Sequence, residues 1–344
     1  MRSFGTAVLP LCFCLLGARM PCAAAASSAK PLQIYFVDVE GGQATLVVSP
    51  SGQSLLIDTG WPGYEGRDAD RILAAAHQAG IKQLDFVLIT HYHRDHVGGV
   101  PQLVDGIKVG TFVDHGPNIE DSEITRADYA AYEKAIAGHA HVMVKPGWGL
   151  PIKGLEVHVL SAAGEHITSP LPGAGEANSY CGSEPAAADS TENARSVGVL
   201  ITYGHFRFLD LGDLTKKKEL EIVCPNNLIG TVDLFLVTHH GADLSNPQPL
   251  VWAIHPRVAV IDNGPRKGSS PAAWQIVHNS PGLEDLWQLH YAAESDKDHN
   301  VDNERIANLK ENCEGKYLKV EAERDGSFTL TNARTGVRKT YAKK

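Results

Sequence analysis

The chain has 344 residues, 40 acidic against 31 basic side chains and a formal net charge of −9. That length suits one large domain or two ordinary ones, and the acidic balance excludes the broad basic face with which proteins grip nucleic acid. Six scattered cysteines exclude a fold built on a disulfide framework.

The start reads as a leader. Arg2 precedes an apolar run from Ala7 to Gly17, and small residues follow in "ARMPCAAAASSA". These are the proportions of a secretory signal over residues 1–26, with cleavage after Ala24 to Ala26, and the run is too short to span a bilayer. A retained anchor is the alternative, since Arg19 interrupts the pattern. Lipidation of Cys22 is disfavoured because "RMPC" lacks the small and aliphatic residues that precede a lipidated cysteine. The expected location is periplasmic or secreted, with no transmembrane segment after signal removal. Loss of Arg2 and Arg19 takes the charge to −11 and leaves Cys181, Cys224 and Cys313. One pair can bridge in an oxidising compartment; the sequence leaves open which pair, and leaves the oligomeric state open too.

Residues 31–344 read as a single domain without a linker. Gln33 to Val48 and "SLLIDTG" form an antiparallel hairpin region, with a turn at Ser49 to Gln53 and Asp58 at the second strand's end. Arg67 to Ala79 has helical spacing and Gly80 closes it. "LDFVLIT" is a continuous apolar run, as in a strand covered on both faces. "KVGTFVDHG" alternates weakly, Ala127 to Ala140 suits a helix, and "LEVHVLSAA" is a strand. Glu165 to Ser190, rich in Gly, Pro, Ala and Ser, reads as a long surface loop. Lys216 to Lys218, beside Glu219 and Glu221, reads as a solvated helix face.

The second half then echoes the first. "FRFLDLGDL" at 206–214 matches "SLLIDTG" in form, and "VDLFLVTHHGAD" at 232–243 matches "LDFVLITHYHRD" at 84–95. Strand–carboxylate, helix and strand–histidine thus occur twice, as expected of two facing α/β units that share one site. Strands "VAVIDNG" and "DLWQLHYAA" and a hairpin turning at Asp325-Gly326 close the chain.

Four chemistry-bearing residues follow the "LDFVLIT" strand: His91, His93, Asp95 and His96. Imidazoles are good zinc ligands at neutral pH and carboxylates suit a second metal or a bridge. His91 and His93 alternate, so an extended segment points both to one side. Asp213, His239 and His240 end strands of the echo. His166, His255, His278 and His290 lie outside any motif and read as surface or core.

H-x-H-x-D-H after an apolar strand, preceded by "LLIDTG", resembles the metallo-β-lactamase superfamily. "FVDVEGGQATLVVSPSGQSLLIDTG", "SVGVLITYGHFRFLDLGD" and "THHGADLSN" resemble the hydrolase domain of competence-type DNA-uptake proteins and related secreted phosphodiesterases, over roughly residues 32–265. The resemblance implies an α/β fold, an αββα sandwich of two mixed sheets with helices on the outer faces, and two zinc ions (Zn2+) at the sheet edges. It implies that His91 and His93 bind the first metal, Asp95 and His96 the second, and that Asp213 bridges both. His240 would complete the second site, although the echo aligns His239 with His91, so the assignment within that pair stays open. Asp95 and His239 are the catalytic candidates, His239 as a donor to the substrate oxygen if it is not a ligand. Asp58 is expected to orient a ligand from outside the metal shell or to cap its strand; Asp38 and Gly41-Gly42 shape the neighbouring turn.

Two close cations would lower the pKa of a bridging water and polarise a carbonyl or phosphoryl oxygen. The expected enzyme is therefore a metal-dependent hydrolase of a small or short phosphodiester or related ester. Lactam, lactone or thioester hydrolysis on the same fold is the alternative, and a zinc-binding module without turnover the third reading. Two departures bear on this. Asn193 stands in "NARS" where superfamily members often carry histidine, a feature shared with the competence-type domains. Ser269-Ser270-Pro271 stands where a His-Pro pair is common.

Overall fold

The structure is a computed structural model that describes residues 1–7, 30–182 and 186–344. The expected leader, residues 1–26, lies outside the described residues from residue 8 onward. Among the described residues no helix is long and apolar enough to cross a membrane.

The chain first lays down β1 (Leu32–Phe36), β2 (Thr45–Val48), β3 (Ser54–Ile57), α1 (Arg67–Gln78) and β4 (Gln83–Leu88). It continues through α2 (Arg94–Val97), α3 (Val100–Gly106), β5 (Lys108–Asp114), α4 (Glu123–Ile136) and β6 (Ala140–Met143). A second sheet follows with β7 (Gly149–Leu150), β8 (Glu156–Ala162), β9 (Glu165–His166), β10 (Gly198–Tyr203), β11 (Phe206–Asp210), α5 (Lys216–Val223) and β12 (Leu234–Leu236). It is completed by α6 (Gln248–Ile254), β13 (Val258–Ile261), α7 (Pro271–His278), β14 (Asp285–His290) and β15 (Ile306–Asn308). The chain then returns to the first sheet as β16 (Leu318–Ala322), β17 (Phe328–Asn332) and β18 (Arg338–Tyr341).

The first sheet runs β18-β17-β16-β1-β2-β3-β4-β5-β6, and the second β15-β14-β13-β12-β11-β10-β8-β7 with β9 on β8. Both are mixed: β1, β2 and β3 pair antiparallel, while β3, β4 and β5 pair parallel. Alternation along the strands sorts the apolar side chains into three layers. Leu55 and Ile57 point with Phe36, Val159 and Phe208 into a core between the sheets. Leu56 points outward with Tyr35 to meet Ile72 and Ala76 of α1 and Leu103 of α3. Leu209 and Phe235 point outward from the second sheet against Ile222 of α5 and Val251 of α6. A strand with cover on both faces has to be apolar throughout, which is why β3 and β4 lack a polar face. The architecture is helix, sheet, sheet, helix.

The repeat seen in the sequence is structural. β3, α1 and β4 form one unit, with β3 and β4 parallel, and β11, α5 and β12 form the other, with β11 and β12 parallel. The expected helix at 127–140 is displaced to Glu123–Ile136, because the Ser122 side chain accepts from Thr125 N and caps the first turn. Ala140 belongs instead to β6, which pairs parallel with β5. Cysteines 181 and 224 are joined, and Cys313 is free.

Candidate metal centre

The carboxyl ends of β4 and β12 meet between the sheets, where open α/β folds place their ligands. The chain is forced close there. A Cβ on Gly42 would lie 2.3 Å from the Asp95 carbonyl oxygen, so only glycine fits. Asp58, His239 and His240 adopt left-handed backbone (φ 60°, 56° and 52°). Such conformations cost free energy in non-glycine residues and gather at functional sites.

Donor atoms of Asp95, His96, Asp213 and His240 all lie within 4.8 Å of one another, and all four residues are buried. His96 Nε2 is 3.2 Å from Asp213 Oδ2 and 3.2 Å from His240 Nε2; His240 Nε2 is 3.2 Å from Asp95 Oδ2. The same Oδ2 of Asp213 also faces His239 Nε2 at 3.3 Å and His91 Nε2 at 3.9 Å, while Oδ1 lies 3.5 Å from His240 Nε2. His93 does not join this group. Its Nε2 is 3.0 Å from Glu120 Oε2, although its ring packs 4.7 Å from that of His91. Asn193 is buried, and its Oδ1 has no hydrogen-bond partner among the described residues.

Behind these atoms a ring of acceptors fixes the imidazoles. Asp58 accepts from Thr90 N (2.8 Å) and Thr90 Oγ1 (2.7 Å), and its Oδ2 lies 2.7 Å from His96 Nδ1. Asp262 Oδ1 faces His240 Nδ1 at 3.3 Å. Ser245 Oγ donates to Leu214 O (2.7 Å), so its 3.2 Å contact with His239 Nδ1 has the imidazole donating. The Nδ1 atoms of His96 and His239 thus bond outward, His240 Nδ1 faces Asp262 without a hydrogen bond, and the three Nε2 atoms point inward toward carboxylate oxygens.

Acceptors facing acceptors in a buried space call for positive charge. Among the buried atoms at the site without a hydrogen-bond partner among the described residues are His91 Nε2, Asp213 Oδ1, His240 Nδ1 and Asp262 Oδ1. Burial, reinforced by His96 and His93, pushes the His91 pKa well below its ordinary value and keeps that nitrogen a free lone pair. Burial also disfavours the Asp213 carboxylate, yet His239, His96 and His240 hold it well below the usual carboxylate range. Asp95 is likewise held low against burial, by Lys267 and His96. His96 is raised well above its ordinary value because Asp213, Asp95 and Asp58 outweigh its burial. A deprotonated His91 beside His96 and His240, whose protons are held by the surrounding carboxylates, is a donor set that fits divalent zinc-class cations, which would replace those protons.

Lys267, which the sequence did not flag, contacts Asp95 through its ammonium, and that ammonium lies 5.1 Å from the Trp61 ring centroid. A cavity of about 1050 Å³ opens beside the centre, lined in part by Asn193, Thr215, Lys216 and Leu244. Of the site residues expected from sequence, only Asn193 reaches it. Asp262, Ser245, Glu120 and Lys267 are further site residues. "VAVIDNG", with a carboxylate after a strand as in "LLIDTG", was the one signal that pointed to Asp262.

Residues 37–185 match the family model described as the metallo-beta-lactamase superfamily. "ComE operon protein 3" of Bacillus subtilis is 27% identical over 248 residues, covering 67% of this chain and 28% of that protein. "Recombination protein 2" of Haemophilus influenzae is 25% identical over 265 residues, covering 76% of this chain and 27% of that protein. The chain thus spans less than a third of the length of either relative. "Atrochrysone carboxyl ACP thioesterase AgnL7" of Paecilomyces divaricatus is 36% identical over 109 residues, 29% of this chain and 33% of that protein. With its two mixed sheets, outer helices and buried histidine–aspartate cluster, the chain carries a metallo-beta-lactamase superfamily domain.

Proposed function

We propose that this chain is an exported dinuclear zinc hydrolase that cleaves a phosphodiester or related ester in a small or short substrate. One observation carries the reading: the Asp213 carboxylate is ringed by four imidazoles, with Oδ1 3.5 Å from His240 Nε2 and Oδ2 3.2, 3.3 and 3.9 Å from Nε2 of His96, His239 and His91, and Asp95 joins the His96 and His240 end of the cluster. His240 then serves the second site with Asp95 and His96. Bound there, a zinc pair would supply an activated water at neutral pH and polarise the substrate's electrophilic oxygen.

The chain's own residues do the rest. Asp58 holds the His96 ring so that Nε2 points inward, and the Asp262 carboxylate faces His240 Nδ1 at 3.3 Å. Asp213 would hold the metal pair together with the imidazoles around it. Lys267, over Trp61, places a cation at the rim where a diester oxygen carries negative charge. His93, which contacts Glu120, would have to rotate about its side chain to serve as a ligand. The Cys181–Cys224 bridge fits an oxidising compartment and so supports export.

The charge of Lys267 favours an anionic ester. The AgnL7 likeness, over 29% of the chain, favours a second reading, thioester hydrolysis. Purified zinc-loaded protein assayed on bis-p-nitrophenyl phosphate, an acyl thioester and nitrocefin separates them. Turnover of the diester is expected; turnover of the thioester alone would replace the phosphodiester reading, and no turnover on any would leave a binding module.

A further inference from the structure

A second convergence of donors lies behind the loop that follows β1. Asp38 ends that strand's extension, His290 ends β14, and Cys313 lies between β15 and β16. Asp38 and His290 are fully buried, and Cys313 is partly buried. His290 Nε2 is 2.7 Å from Asp38 Oδ1, Cys313 Sγ is 3.3 Å from Asp38 Oδ2, and Sγ is 4.0 Å from His290 Nε2. One oxygen, one nitrogen and one sulfur donor thus lie within 4.8 Å of one another.

We propose that Asp38, His290 and Cys313 bind one zinc-class divalent cation, at a site separate from the centre around Asp213. The donor set selects the metal. Thiolate and imidazole suit zinc and similar transition ions and do not suit magnesium or calcium, which take oxygen ligands. Three protein donors leave one tetrahedral position for water. With Cys181 and Cys224 bridged, Cys313 is the one free thiol among the described residues, so its sulfur is available.

Arg71 is the neighbour that has to be reconciled. Its Nη1 is 3.1 Å from Asp38 Oδ2 and its Nη2 is 3.7 Å from Cys313 Sγ. Nη2 is also 3.1 Å from Glu40, which answers the guanidinium charge. Arg71 engages the Oδ2 side of Asp38 and leaves Oδ1 facing His290. A bound cation balanced by carboxylate and thiolate adds no net charge beside the guanidinium.

The consequence is mechanical. The cation would tie the ends of β1 and β14 to the segment before β16. The loop it anchors continues to Gln43, whose backbone N–H donates to the Asp95 carbonyl at 3.1 Å.

Cobalt substitution reads this site alone, since no cysteine lies at the centre around Asp213. Full-length protein with the Cys181–Cys224 bridge kept oxidised and Cys12, Cys14 and Cys22 replaced by serine is titrated with Co2+ and followed by near-ultraviolet absorption. A sulfur-to-cobalt charge-transfer band should grow to saturation at one cobalt per band-forming site. It should vanish in Cys313→Ser and persist in Asp213→Ala, which disables only the proposed hydrolytic centre. Absence of the band at cobalt saturation in that parent protein, with its thiol titrating as free, overturns the proposal, whatever the hydrolytic assays show.

Discussion

The Nε2 atoms of His96 and His240 stand 3.2 Å apart although 144 residues separate them in the chain. Each ring is backed through Nδ1 by a carboxylate from a strand end, Asp58 for His96 and Asp262 for His240. The site exists only where the two halves of the chain meet.

Asp58→Asn should keep the fold, because asparagine tolerates the left-handed backbone at φ 60°. It replaces a carboxylate that fixes His96 with an amide. Metal affinity should fall about 10–100-fold, as when such outer partners are removed elsewhere. A competition titration with a zinc indicator checks it; unchanged affinity would make Asp58 only a strand cap.

Lys267→Met retains the aliphatic stem over Trp61 and removes the charge. We expect kcat/KM on an anionic diester to fall by about 10²-fold, the scale of losing one charge-stabilising donor, with little change for a neutral thioester. Equal losses on both substrates would show that Lys267 merely supports Asp95.

Much of this was legible early. Strands buried on both faces announce themselves as unbroken apolar runs, so β3 and β4 and the residues that end them stood out, and so did their echo. Residue type alone could not orient His93, whose choice of Glu120 depends on a contact 27 residues away. Lys267 meets Asp95 across 172 residues and Cys313 meets Asp38 across 275, distances at which no local pattern speaks. The His239–His240 ambiguity persisted because both adopt left-handed backbone, which breaks the simple alternation of a strand end. The displaced α4 shows the opposite error. Alanine-rich propensity over 127–140 outweighed a Ser122 cap that was present in the sequence.

Glu219 links stability to pH. Its carboxyl is fully buried under the histidine loop, accepts from Asn246 N at 2.8 Å, and has its pKa raised to about 8 by burial, which outweighs Thr238 and Asn246. The folded state therefore holds a proton that the unfolded state releases near the ordinary value of about 4.3. The folded state binds more protons between these values, so this group's contribution falls as pH rises from about 4.3 to about 8. Glu219→Gln should flatten that part of the melting-temperature profile and melt higher than wild type at pH 9. Parallel profiles would refute the assignment.

Asn193 offers a neutral amide oxygen where an imidazole would bind zinc more strongly. Graded chelation of wild type should remove metal in two steps, with activity lost in the first, and Asn193→His should merge them. A single step in wild type would point to another ligand on the first side, with His239 the leading candidate.

The most direct measurement is anomalous diffraction at the zinc edge from crystals grown with zinc. The account predicts two peaks flanking the Asp213 carboxylate, one beside Asp95, His96 and His240 and the other beside His91. A single peak, or none within coordination distance of Asp213, would contradict the dinuclear centre on which the hydrolase reading rests.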